Sequence, residues 1–130
     1  FAKEVDIHYL YENCDIISLH IPLNKETKYL INHQFIVKMK KPFYLLNTSR
    51  GSIVSNRDLI MGLKNEKVIG AGLDVIENEN FKFNSIEVDE NFNYLLNCNN
   101  VIITPHIAGL SIESSKKLSQ TLIHKILKLI

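Results

Sequence analysis

Four short apolar runs, each broken off at a proline, an aspartate or a cluster of polar residues, constrain the fold of this chain more than any other feature. They are CDIISLH (14–20), FYLL (43–46), VIGAGLDV (68–75) and VIIT (101–104). Runs of this length, rich in β-branched residues and closed by turn formers, read as buried strands. In the first, Ile16, Ile17 and Leu19 are the apolar members, and Ser18 is small enough to be buried between them. In the third, Gly70 and Gly72 allow another backbone to approach closely. The segments between carry a different period. Residues 8–13 give one or two helical turns that present Leu10 and Tyr11 to a core and end at Asn13. Residues 32–39 place Phe35, Ile36 and Met39 at helical spacing, and residues 56–65 do the same with Leu59, Ile60 and Leu63, capped by Ser55 or Asn56. The polar, asparagine-rich stretch 77–100 is the least regular, with Phe81, Phe83, Leu95 and Leu96 as anchors and a short helix over 89–96. Residues 111–130 read as one long helix with Leu118, Leu122, Ile126 and Leu129 as its stripe, broadened by Ile123 and Ile130. Strands alternating with helices predict an α/β domain with a largely parallel sheet.

The 130 residues are 45% hydrophobic and 22% charged, enough for one ordinary domain with a real core. A formal net charge of +1 gives no argument for a nucleic-acid or membrane-surface partner, and no window holds eighteen consecutive apolar residues. The opening FAKEVDIHYLYENCD lacks the basic-then-apolar order of a secretion signal. Cys14 and Cys98 alone make neither a disulfide framework nor a metal site, so both read as reduced thiols of a cytoplasmic protein. The first residue is Phe1 rather than methionine, which reads as part of something longer.

In an open parallel sheet, ligands bind beyond the carboxyl ends of the strands. The first run ends at His20 and Pro22, the second at Asn47, Thr48 and Arg50, the third at Asp74, and the fourth at Pro105 and His106. Pro105 stops the ladder and fixes the backbone direction just before the histidine. The competing reading is that caps, turns and solvated charges collect at any such rim, because loops are polar anyway. The guanidinium fork of Arg50 matches a carboxylate, and Gly51 beside it leaves room for close approach; a surface salt bridge is the plainer alternative. Asp74 stands where an apolar residue would extend its strand, either to cap the following turn or to accept hydrogen bonds from an amide ligand. Either Glu77 or Glu79 can pair with His106 and stabilise its charged form. His8, His33 and His124 lie in or beside helices, away from the tips, and read as non-functional, as do Asn99, Asn100 and most lysines.

In combination, SLHIPL with Thr27 after it, MK followed by LLNTSRG, GAGLDV with two acids beyond, and NNVIITPHIAG resemble the D-isomer-specific 2-hydroxyacid dehydrogenases over essentially the whole chain. The phosphoglycerate, glyoxylate and hydroxypyruvate dehydrogenase branches are the most similar. The resemblance implies a partial Rossmann-like, doubly wound parallel sheet over 1–109, the second half of a cofactor domain. A C-terminal helix over 110–130 would then return towards a substrate domain. It implies a nicotinamide cofactor (NAD, with NADP left open), a small 2-keto or 2-hydroxy acid as substrate, and a homodimer built through the cofactor domain. It also assigns roles. His106 is the acid/base, Arg50 binds the substrate's carboxylate and carbonyl oxygen, and Glu79, five residues after Asp74, is the acid paired with the histidine. Asp74 is expected to bond the nicotinamide carboxamide. The backbone around Asn47, Thr48, Ser49 and Gly109 should border the nicotinamide, and His20, Ile21 and Pro22 the adenosine side. Asn80 stands where the family commonly has proline, and no GxGxxG phosphate-binding fingerprint occurs in the chain. The isolated 130 residues are therefore expected to be inactive. Two other readings keep the fold: a non-catalytic remnant that binds a partner, and a formate- or phosphite-type dehydrogenase on the same scaffold.

Overall fold

A computed structural model describes residues 2–77 and 89–128. Among the described residues, the strands are β1 (Ile16–Leu19), β2 (Phe43–Asn47), β3 (Val68–Leu73) and β4 (Val101–Ile103). They form one sheet in the order β1-β2-β3-β4, with every pair parallel. The helices are α1 (Ile7–Asn13), α2 (His33–Lys38), α3 (Asn56–Lys64), α4 (Glu90–Leu96) and α5 (Ile112–Leu127), and a short 3₁₀ turn covers Gly51–Ile53. The predicted α/β class and parallel sheet are what the chain adopts, with element ends shifted by one or two residues.

Each helix starts on a residue whose side chain accepts from the third amide of the first turn. Asp6 accepts from Tyr9 N at 2.8 Å, Asn32 from Phe35 N at 3.1 Å, and Ser55 from Asp58 N at 3.3 Å. Asp89 accepts from Phe92 N at 2.7 Å and Ser111 from Ser114 N at 3.0 Å. Such caps contribute about 1 kcal/mol each. The choice between Ser55 and Asn56 falls to Ser55.

The strands follow one another in the sheet, and each crossover carries a helix: α2, then α3, then α4. Crossovers of one hand in sequential order place every connecting helix on the same face. The core therefore lies on one side. Ile17, Leu19, Phe43, Leu45, Val68, Ala71 and Leu73 meet Phe35, Ile36 and Met39 of the α2 segment, Leu59, Ile60 and Leu63 of α3, and Leu95 of α4. The alternate residues look out from the other face: Ile16, Tyr44, Leu46, Ile69 and Ile102 are exposed. Ser18 is exposed with them, against the expectation that it would be buried, because the three crossover helices all lie on the opposite face. Gly70 marks a close approach as expected, since a Cβ there would lie 2.9 Å from the Asn100 carbonyl oxygen.

Two further expectations are corrected. β2 runs one residue further than predicted, so Asn47 belongs to the strand rather than to its loop. The predicted stripe of α5 covers no core: no residue of the helix is buried, and Leu118, Leu122, Ile123 and Ile126 are all exposed. Phe81, Phe83, Leu129 and Ile130 lie outside the described residues. Cys14 and Cys98 are free and half-buried.

Candidate active site

The register brings the strand tips into one row. Leu19 pairs with Asn47, Asn47 with Leu73, and Leu73 with Ile103. The loops leaving these four positions carry His20, Arg50, Asp74 and His106. At the usual spacing of about 4.8 Å between strands, the tips of β2 and β4 stand roughly 10 Å apart. A substrate of a few carbons, held by long side chains from both tips, fits that span.

Period-2 alternation decides what happens at the β2 tip. Phe43, Leu45 and Asn47 share the inward face, and all three are fully buried. Asn47 satisfies its amide locally: Nδ2 donates to the Arg50 carbonyl at 3.0 Å, and Oδ1 accepts from Ser49 N at 3.1 Å. Ser49 Oγ donates to the Ile21 carbonyl and so ties this loop to the one leaving β1. That neighbouring loop is held in turn by Thr27, whose hydroxyl donates to the Pro22 carbonyl at 2.7 Å. Arg50 is exposed, with Nη1 donating to the Ser49 carbonyl at 2.7 Å. No ion pair between described residues involves it, which removes the plain salt-bridge reading among them. Gly51 is required beside it for a reason of space, since a Cβ there would lie 1.9 Å from the Ile76 carbonyl oxygen.

At the β3 and β4 tips, Asp74 is the organiser. The residue is 4% exposed, and its carboxylate accepts from Thr104 Oγ1 at 2.5 Å, Ile107 N at 2.8 Å and Ala108 N at 2.9 Å. Burial alone would raise its pKa. The Thr104 hydroxyl, the Ala108 and Ile107 amides and the charge of His106 outweigh that, so the carboxyl titrates below its ordinary range. The Asp74 carbonyl also accepts from His106 N at 2.9 Å. This bracing holds His106 at φ +54°, the left-handed region, which few non-glycine residues occupy outside tight turns.

Two cavities open along the row. One of about 660 Å³ lies at the β1 and β2 tips and is lined by His20, Ile21, Pro22, Leu23, Thr48, Ser49 and Arg50. The other, about 220 Å³, lies at the β3 and β4 tips; Asp74, Glu77, Thr104, Pro105 and His106 line it, over an apolar floor that includes Phe92 and Leu96. Among the described residues, Arg50 lines the first of these cavities and His106 the second. Gly109 lines neither; it is exposed, and its carbonyl accepts from Ser114 Oγ at the head of α5.

Residues 1–108 match the family described as D-isomer specific 2-hydroxyacid dehydrogenase, NAD binding domain. The chain belongs to this family. A putative D-lactate dehydrogenase from Dictyostelium discoideum is 42% identical over 119 residues, covering 88% of this chain and 34% of the relative. A glyoxylate reductase from Thermofilum pendens is 40% identical over 115 residues, covering 88% and 32%. A solved D-isomer specific 2-hydroxyacid dehydrogenase from Lactobacillus delbrueckii ssp. bulgaricus, in NAD-complexed form, superposes with a TM-score of 0.80 at 32% identity. It covers 95% of this chain, and the chain covers 40% of it. The segment therefore spans about a third of the length of the relatives it matches. The four-stranded parallel sheet is the Rossmann-like fold of this dehydrogenase domain, and NAD is the cofactor of the family.

Of the two acids beyond Asp74 in this dehydrogenase domain, Glu77 has its own task. Oε1 accepts from Tyr29 OH at 2.6 Å and Oε2 from Asn56 N at 3.0 Å, so it links the α3 start to the segment before Ile31. Its hydrogen bond to Tyr29, with burial and its negative charge, raises the tyrosine's pKa. Nothing in the sequence marks a tyrosine 48 positions away as its partner. Glu79 and Asn80 lie outside the described residues. The side-chain role of Asn47 was missed too, although the alternation through Phe43 and Leu45 carried the signal. Among the described residues, no helix is long and apolar enough to cross a membrane.

Proposed function

We propose that this chain is the part of an NAD-dependent D-2-hydroxyacid dehydrogenase that carries its acid/base and its carboxylate clamp. The observation that carries the reading is the row of strand tips, where register alone places the Arg50 loop, Asp74 and the His106 loop side by side. The residues present suit the cofactor. Ile21, Pro22 and Leu23 give an apolar wall for flat rings, and the Thr48 and Ser49 segment lines the same cavity with hydroxyls and peptide groups. Asp74 already uses about three of its four lone-pair positions, leaving one for a carboxamide N–H. His20, Ile21 and Pro22 border the adenosine side, and the backbone of Asn47, Thr48, Ser49 and Gly109 the nicotinamide side.

The cofactor supplies or accepts hydride at the substrate's C2. In the direction of reduction, Arg50 holds the carboxylate of a 2-keto acid with its fork and polarises the carbonyl oxygen. His106, as imidazolium, gives its proton to that oxygen as the carbon gains hydride, and the product is the 2-hydroxy acid. Glu79 orients the imidazole and stabilises its charged form. The left-handed backbone at His106, braced by Asp74, fixes where the ring leaves the β4 tip. The working enzyme is a cytoplasmic homodimer joined through the cofactor domain, with 1–109 in that domain and 110–130 leading to the substrate domain.

The test uses the full-length protein with NADH and pyruvate, glyoxylate or hydroxypyruvate, followed by loss of reduced-nicotinamide absorbance. Turnover is expected, and the reverse reaction should consume only the D enantiomer of the matching hydroxy acid. If none of these acids oxidises NADH, the chain is a binding remnant or serves other chemistry. The isolated 130 residues should neither turn over nor bind NAD tightly in a calorimeter; strong binding there would show that no further phosphate cradle is needed.

A further inference from the structure

Asn47 is fully buried, yet neither of its side-chain bonds reaches another strand or a helix. Both go forward into its own loop, Nδ2 to the Arg50 carbonyl and Oδ1 to the Ser49 amide. Its main-chain carbonyl points the other way and accepts from Asp74 N at 2.9 Å, while the Asp74 carbonyl accepts from His106 N at 2.9 Å. A continuous hydrogen-bonded path therefore crosses three strand tips, from the Arg50 carbonyl through Asn47 and Asp74 to the His106 amide. A structural role alone would be filled by a valine or leucine completing the inward face behind Phe43 and Leu45. An asparagine at a fully buried position costs desolvation that only its hydrogen bonds offset. Those bonds fix one thing, the turn that projects Arg50.

We propose that Asn47 is a positioning residue: its buried side-chain amide sets the conformation of the Arg50 loop, and its carbonyl ties that loop to Asp74 and so to His106. This rests on the dehydrogenase reading above for its kinetic consequence, but not for its structural one. Removing the amide frees the loop and lets Arg50 leave the line in which it meets a carboxylate. The carboxylate contact is made in the ground state and the transition state alike, while the polarising contact to the carbonyl oxygen is strongest in the transition state, so misplacing Arg50 raises KM and lowers kcat together.

The experiment compares Asn47→Ala, Asn47→Asp and a control, Leu45→Ala, in the full-length protein. Leu45 is equally buried in the same strand, and its side chain can make no hydrogen bond to the Arg50 loop, so its variant reports general destabilisation. Asn47→Ala should raise KM for glyoxylate or pyruvate about tenfold, lower kcat as well, and speed hydrogen exchange at the Ser49 amide. Asn47→Asp keeps the acceptor for Ser49 and loses the donor to Arg50. It should retain Ser49 protection and still raise KM. Leu45→Ala should lower thermal stability with KM unchanged at a temperature where it is folded; should it not fold, Leu45→Val takes its place. A normal KM in Asn47→Ala, or a KM rise matched by the Leu45 control, overturns the proposal. Ser49 protection that survives Asn47→Ala overturns it as well, even if wild type turns over no keto acid. In that last case the dehydrogenase reading fails separately, and the exchange result alone decides the brace.

Discussion

Replacing His106 with glutamine in the full-length protein should lower kcat for keto-acid reduction by about 10²–10⁴-fold, the range that a positioned general acid contributes. Glutamine keeps a hydrogen-bonding side chain of similar reach but carries no transferable proton at neutral pH. In the proposed mechanism Arg50 holds the substrate carboxylate at the β2 tip, on the far side of Asp74, so KM should change little. NADH affinity, read by fluorescence, should also hold, because the cavity proposed for the cofactor is lined by residues of the β1 and β2 tips. A drop confined to KM would place His106 among binding residues and move the proton donor elsewhere. The left-handed backbone matters to the choice of variant. Glutamine lacks the several-fold preference for φ above zero that histidine shows, so a modest stability loss accompanies the kinetic one.

The sheet was legible because its signal is local. Each strand is a short apolar run with a hard stop, and each intervening helix has its own stripe and cap. The row of strand tips followed from the parallel class alone. Side-chain detail at those tips was less legible. A Ser18 between isoleucine and leucine reads as buried if the strand is covered on both faces, and the burial of alternate residues only becomes visible once the order β1-β2-β3-β4 puts the three crossover helices on one side. Asn47 was readable in principle, since extending the inward alternation by one step from Leu45 reaches it. Asparagine is a turn former, so local propensity assigns it to the loop, and that propensity gives way to a tertiary site that satisfies both ends of its amide.

Asp74 and Glu77 show a different limit. The sequence offers Asp74 as a turn cap or an acceptor for an amide ligand, and Glu77 as one of two acids able to pair with His106. What separates them is which donors lie in reach, and those come from residues 30 or more positions later for Asp74 and 21 to 48 earlier for Glu77. For Asp74 the sequence left two readings, a cap of the next turn or a ligand contact. The structure gives it a third partner set, the hydroxyl and amides of the loop that carries His106. The α5 stripe was read correctly as apolar, but a stripe says only that a face wants cover, not which part of the protein covers it.

Asp74→Ala should therefore be the most destabilising single change at the site. It leaves Thr104 Oγ1 and the Ile107 and Ala108 amides without their acceptor, and hydrogen bonds to a charged group contribute about 1.5–3 kcal/mol each when buried. Ile107 and Ala108 are exposed, so water replaces part of the loss and about 2–4 kcal/mol in all is expected from denaturant unfolding. Catalysis should fall further than stability accounts for, by about 10²-fold at a temperature where the variant is folded, because His106 loses the loop that aims it. The pH dependence supplies an independent check. Asp74 is held below its ordinary value of 3.8 in the folded state, so it binds fewer protons there than in the unfolded chain. Its contribution is complete above the unfolded pKa and is lost as pH falls through the lower, folded value. The wild type should thus lose stability from about pH 4 downwards, and Asp74→Asn should show a shallower acid limb from a lower starting stability. Asparagine keeps one acceptor oxygen but turns an N–H towards an amide that needs an acceptor, so it cannot restore the loop. Equal acid slopes in wild type and Asp74→Asn would mean that the carboxylate is not what links the β3 tip to the His106 loop.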